Sequence, residues 1–158
     1  MKKILKLTMV LLGALFVLLG CSSETKSEFV LQKTASKTKL TYVYDKEKDS
    51  VSKLTMEIVY DITKDEQYTE TVRSQRDEAV AEMEGIEGVT YTKKDDSNYI
   101  TLTIEVDVNK FKFDDAASRK KAPMLYNTVK SALIRKGNII SYQLSKEAIL
   151  KYEFKEVK

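Results

Sequence analysis

The sequence contains no His and no Trp, one Pro, one Cys and five Gly in 158 residues. Each shortage removes a class of chemistry. Without His there is no Ser-His-Asp or Cys-His catalysis, no His-ligated zinc or haem, and no imidazole titrating near neutrality. One Cys excludes an intrachain disulfide and a cysteine-rich metal site, and one Pro excludes a proline-rich recognition segment. Only Gly85, Gly88 and Gly137 follow residue 20, and none stands in a P-loop or dinucleotide-binding pattern.

What is present is ordinary for one globular domain, with 42% hydrophobic and 32% charged residues. The charge balance is uneven along the chain. Lys2, Lys3 and Lys6 precede an apolar run of 13 residues from Leu7 to Leu19, broken only by Thr8 and Gly13. A membrane-spanning helix needs about 20 apolar residues and a signal h-region roughly 7 to 15, so residues 1–20 read as an export signal. The run ends in Leu18-Leu19-Gly20-Cys21, which looks like the lipobox of bacterial lipoproteins. In such proteins a small residue precedes the Cys that is acylated and becomes N-terminal. Two acyl chains give stable anchoring, so the expected location is the extracytoplasmic face of a membrane, outer or cytoplasmic. Losing the three signal lysines leaves 24 basic side chains against 24 acidic ones, so the formal +3 belongs to the signal. Residues 21–27 read as the lipidated Cys21 and a short polar tether, and residues 28–158 as one domain.

Strict alternation of Ile100, Leu102, Ile104, Val106 and Val108 with polar residues predicts a strand over Tyr99–Val108, buried on one face. Further strands are expected at Glu28–Thr34, Lys37–Tyr44, Ser52–Asp61 and Gly88–Lys93. Thr63-Lys64-Asp65-Glu66 fits a capping box opening a helix that ends at Gly85. A second helix starts near Pro123 and stops at Gly137-Asn138, and a third takes Ser145 as its N-cap. The order β-β-β-α-β-β-α-α predicts an α+β fold, an antiparallel sheet with helices packed on one face.

Three segments carry a resemblance to a family. Lys39-Leu40-Thr41-Tyr42-Val43-Tyr44 with Asp49, Val51 and Lys53, then Gly85-Ile86-Glu87-Gly88-Val89-Thr90, then Phe154-Lys155-Glu156-Val157 are similar to the YehR-like family of small bacterial lipoproteins. The resemblance implies an α+β lipoprotein domain and supplies no catalytic residues. The family often places Gly before the terminal Phe where this chain has Glu153, so a different last turn is expected.

With His missing, carboxylates are the first candidates for chemistry. Asp95-Asp96 and Asp114-Asp115 are adjacent pairs, and paired carboxylates share protons, hold calcium or hydrolyse glycosides. Neighbouring side chains diverge in strands and helices, and Asp is favoured in turns and at helix starts, which is the reading adopted for both pairs. Asp45, Glu47 and Asp49 alternate as calcium ligands do, but Ser50 and Met56 stand where an EF-hand needs Gly and Glu. Ser118-Arg119-Lys120-Lys121 is a Ser-x-x-Lys match in a segment too basic to desolvate the lysine. Arg119, Lys120 and Lys121 also form a candidate contact for an anionic surface, against the plainer reading of a solvated helix face. Tyr42, Tyr44 and Tyr60 fall on strands, where they serve either a binding face or the core.

The expected function is therefore a membrane-anchored, extracytoplasmic, non-enzymatic binding module for an envelope protein, peptide or polymer, with no cofactor and no nucleic acid. The alternative is a small carboxylate-based enzyme or divalent-metal-dependent binder at the cell surface.

Overall fold

The computed structural model describes residues 24–63 and 65–157, so the signal, Cys21 and the first two tether residues lie outside the described residues. Five long strands are interrupted by one long helix: β1 (Glu24–Gln32), β2 (Ser36–Asp45), β3 (Ser50–Asp61), α1 (Glu66–Met83), β4 (Val89–Asp95) and β5 (Tyr99–Asp107). The remainder is α2 (Ala116–Lys121), α3 (Pro123–Ala132), β6 (Ile134–Lys136), β7 (Ile139–Ser141), α4 (Tyr142–Leu150) and β8 (Lys155–Glu156). Every pairing is antiparallel in the order β4-β5-β3-β2-β1-β8, with β7 joined to β3 and β6. The fold is α+β, as the strand alternation predicts.

That alternation sorts the two faces. Phe29, Leu40, Tyr42, Leu54, Met56, Leu102, Ile104 and Val106 lie under the helices and are buried. The opposite face carries Thr41, Thr55, Thr101 and Thr103, with ion pairs Lys39–Glu57 at 3.5 Å and Lys53–Glu105 at 3.3 Å. A shift of register beside Val43 and Tyr44 lets both Val51 and Leu54 point inward despite their odd spacing. Among the described residues no helix is long and apolar enough to cross a membrane.

Four expectations are corrected. Glu24 to Ser27 are not tether but the first part of β1, paired with Tyr42 to Asp45. Asp65, not Thr63, caps α1, its carboxylate accepting from Gln67 N at 2.9 Å and Tyr68 N at 3.2 Å. Carboxylates satisfy orphan amides at least as well as hydroxyls, so the nearer Asp wins. Gly137-Asn138 does not stop a helix; α3 ends at Ala132 and the Gly-Asn pair turns the β6–β7 hairpin. Ser145 is not a cap but lies inside α4, which Ser141 caps through Leu144 N. Both serines are fully buried, and each hydroxyl is satisfied: Ser145 Oγ donates to Ser141 O and accepts from Ile134 N, and Ser141 Oγ donates to Asp49. At the C-terminal turn Glu153 has φ +68°, the left-handed conformation that a Gly would supply.

Candidate functional site

The sheet is not fully covered. Between α1 and α3 runs an open groove of about 450 Å³, floored by Met56, Ile58 and Ile104, with Ala79 and Met83 on one wall and Met124 and Leu125 on the other. The gap has a cause in the sequence. The buried stripe of α1 is Val72, Arg76, Val80 and Met83, so its middle position is a cation that must stay near carboxylates. The ten-residue α3 is too short to close the difference. A second apolar recess of about 370 Å³ lies against α3, shares Met56, Ile58 and Thr128 with the first, and is bounded by Ile149, Tyr152 and Phe154. All three methionines among the described residues, Met56, Met83 and Met124, line the first groove, and Met124 is 72% exposed at its rim. Methionine is unbranched and polarizable, so such a lining adapts to varied apolar surfaces.

Charge is confined to one wall. Arg76 is 7% exposed and bound to Asp95 and, at 3.0 Å, to Asp77. Arg73 also reaches Asp95 at 3.3 Å and Lys93 reaches Asp77 at 3.0 Å, so a ladder of ion pairs ties α1 to the β4–β5 hairpin. The Arg76 hydrogen bond, with Lys93 behind it, holds the Asp77 carboxyl below its ordinary value. With Arg76 compensated, Glu78 and Glu82 are the charged side chains left on the groove. Tyr60 also lines it, and burial, then the neighbouring Tyr68, pushes its hydroxyl up, so it stays neutral.

The carboxylates expected from sequence are spent on local structure. Asp95 takes the arginines, whereas Asp96 turns the other way and accepts from Asn98 N and Tyr99 N, both at 2.8 Å, which lowers its pKa. Asp115 caps α2, accepting from Ala117 N and Ser118 Oγ, and Asp114 meets Arg135 at 3.3 Å. Asp45 accepts from Glu47 N and Lys48 N within its own turn. Asp49 accepts from Gln143 N at 2.8 Å and Ser141 Oγ at the start of α4. Among the described residues no three His, Cys, Asp or Glu side chains are placed to hold a metal ion. Ser118 is engaged with Asp115, while Arg119 and Lys120 are exposed and Lys121 Nζ donates to Glu84 O at 2.5 Å.

The tyrosines divide. Tyr42 and Tyr44 join the core: Tyr42 OH donates to Ala132 O at 2.8 Å, and Tyr44 stacks on Tyr142 with ring centroids 3.6 Å apart. Burial drives the Tyr42 hydroxyl well above its ordinary pKa. Only Tyr60 reaches the groove. Sequence reasoning did not find the groove, because its parts come from four elements. The three methionines at helix and strand positions were the available signal.

No family model matches the chain, and no curated protein matches it. Two solved structures are similar to it. The NMR structure of the YehR protein of Escherichia coli matches with a TM-score of 0.65 at 18% identity, covering 87% of this chain and 94% of that one. The NMR structure of a protein from Streptococcus pneumoniae matches with a TM-score of 0.57 at 10% identity, covering 87% of each chain. At such identities the likeness is one of fold, and this chain has a YehR-like fold.

Proposed function

We propose that this chain is a bacterial lipoprotein of the YehR-like kind, lipidated at Cys21 and held at the extracytoplasmic face of a membrane. Its folded domain is a non-enzymatic binding module that seats a basic amphipathic segment of a partner protein between α1 and α3. One observation carries the choice of site: every methionine among the described residues lines one open apolar groove. The charge of the occupant follows from the rim, where Glu78 and Glu82 face the apolar strip and Arg76 is already neutralised by Asp77 and Asp95. A helix with leucines on one side and lysines along the flank satisfies both features.

The test uses the full lipidated chain in zwitterionic nanodiscs and two synthetic 14-residue amphipathic helices, one of Leu and Lys and one of Leu and Glu. The Leu/Lys helix is expected to bind about tenfold more tightly, a difference of ~1.4 kcal/mol. Met124→Ala should weaken both peptides, since it removes exposed apolar surface at the rim. Replacing Glu78 and Glu82 by Gln should erase the preference and leave the Leu/Glu peptide bound no worse. Equal binding of the two peptides, or binding indifferent to Met124→Ala, overturns the assignment.

A further inference from the structure

The chain enters the domain at one corner of the sheet. Glu24 opens β1, pairs with Asp45 and accepts from Ser52 Oγ at 3.1 Å, only three residues after Cys21. Three extended residues span about 10 Å. The same end of the sheet holds the β2–β3 turn and, through the Ser50–Ser141 pair, the β6–β7 hairpin. It also holds the open end of the β4–β5 hairpin at Val89 and Val106. The basic helix α2 lies there too. Lys121 is bonded to Glu84 O, Lys112 pairs with Glu87 at 2.7 Å, and the backbone at Phe111 packs so closely on Gly88 that a Cβ there would sit 2.5 Å from its nitrogen. From β1 to β4 this end is four strand spacings wide, about 20 Å.

We propose that the lipidated domain stands end-on against an anionic membrane, with Arg119 and Lys120 of α2 and Lys136 of the β6–β7 hairpin in contact with phospholipid headgroups. The inference rests on the anchor proposed above. Acidic and basic side chains both occur at this end, but they differ in reach. Asp45, Asp49, Asp107 and Asp115 are short and bend back onto backbone amides of the protein, whereas Arg119, Lys120 and Lys136 are long and exposed. The exposed acids at this end are Glu24, Glu47, Glu84, Glu87 and Asp114, of which Glu87 and Asp114 are paired with Lys112 and Arg135. Long cationic side chains extend to headgroups while their stems stay on the protein. The alternative posture, flat on the open sheet face, offers exposed Lys26, Lys37, Lys94 and Lys155 beside the ion-paired Lys39 and Lys53, but spreads them over the full width of the sheet with Glu28, Glu57 and Glu105 among them. End-on, the groove starts at mid-strand at Met56 and Ile104 and runs toward Tyr60, away from the bilayer and open to a partner.

The absence of Trp from the sequence supplies a clean probe. The full chain, with one Trp introduced as Asn138→Trp or as Asn98→Trp at the opposite end of the sheet, is reconstituted in vesicles carrying headgroup spin labels. Trp at 138 should be quenched and Trp at 98 should not. Replacing phosphatidylcholine by one-third phosphatidylglycerol should deepen the quenching at 138, and Arg119→Gln with Lys120→Gln should remove that increment. Each lost contact should weaken headgroup engagement about fivefold. Equal quenching at both ends, or no response to phosphatidylglycerol or to the double substitution, overturns the orientation while leaving the anchor intact. An intact mass lacking diacylglycerol at Cys21 overturns the anchor and the orientation together.

Discussion

On one side of α3 the helix layer meets the sheet through rings and hydroxyls; on the other it meets it through methionines and a cation. Toward α4, Phe29, Tyr42 and Tyr142 pack edge to face with centroids 5.8 Å and 6.0 Å apart, and Ser141, Ser145 and Ile149 are sealed from solvent. Toward α1, Arg76 takes a place that an aliphatic residue would fill, and Ile58 on the groove floor stays only half-buried above the buried Met56. Aromatic rings with satisfied polar groups have one good arrangement, whereas thioether chains have many. The first side therefore has one arrangement to hold, and the second has the slack that the proposed binding would use.

The largest expected contrast is in stability. Phe29→Ala should cost about 3–5 kcal/mol, because a fully buried ring leaves a cavity in the rigid side. Tyr42→Phe should cost about 1–3 kcal/mol, since the Ala132 carbonyl at the end of α3 loses its donor. Met124→Ala, at 72% exposure, should stay within ~0.5 kcal/mol of the parent. Urea denaturation of the three variants measures this directly. If Met124→Ala costs as much as Phe29→Ala, the two sides are not different and the groove is part of the core.

The long strands and the Pro-opened helix were more legible in the sequence than the groove or the α4 region. Period-two alternation from Tyr99 to Asp107 dictates both the strand and its buried face, because a slip of one residue would put Ile100, Leu102, Ile104 and Val106 in water. Pro123 opens a helix because its missing amide is an orphan there in any case. The mistakes came where a local signal had two physical uses. Gly-Asn ends helices and also turns two-residue hairpins, and the three-residue strands on each side of Gly137-Asn138, with Ile134, Ile139 and Ile140 as their only β-prone residues, are too short to decide between them. Ser145 can cap a helix, but burial against β6 gave its hydroxyl the Ile134 amide instead. The groove depends on how far α1 stands from α3, which no local pattern encodes.

Acid should separate the two sides. The Asp77 carboxyl is held below its ordinary value in the folded chain, first by the Arg76 hydrogen bond and then by Lys93. A depressed carboxyl contributes stability above its unfolded value and loses that contribution as pH falls through the folded one. Below the carboxylate range, amide exchange in α1 should therefore quicken, after correction for intrinsic rates, while α4 beyond its first turn, which Asp49 holds, keeps its protection. Asp77→Asn should bring the quickening of α1 to neutral pH and flatten its pH response. Equal loss of protection in α1 and α4 would sink the idea that this ladder fastens α1 by itself.

The smallest effect concerns two residues with the same backbone and opposite expectations. Glu153 and Asp49 both have positive φ, +68° and +53°, Glu153 in the turn after α4 and Asp49 in the β2–β3 turn that packs on the start of α4. A left-handed residue other than Gly costs roughly 1–2 kcal/mol, and Gly returns some of that as unfolded-state entropy. Glu153 is exposed and its turn leads Phe154 onto the second recess, so Glu153→Gly should stabilise by about 0.5–1 kcal/mol. Asp49 uses the same conformation to place its carboxylate on Gln143 N and Ser141 Oγ. Asp49→Gly relieves the same strain but strips the start of α4 of these bonds, so it should destabilise by about 1 kcal/mol. Thermal unfolding of the pair gives the answer by sign alone: if both substitutions stabilise, the Asp49 carboxylate holds nothing, and the rigidity assigned to the α4 side rests on its rings without its caps.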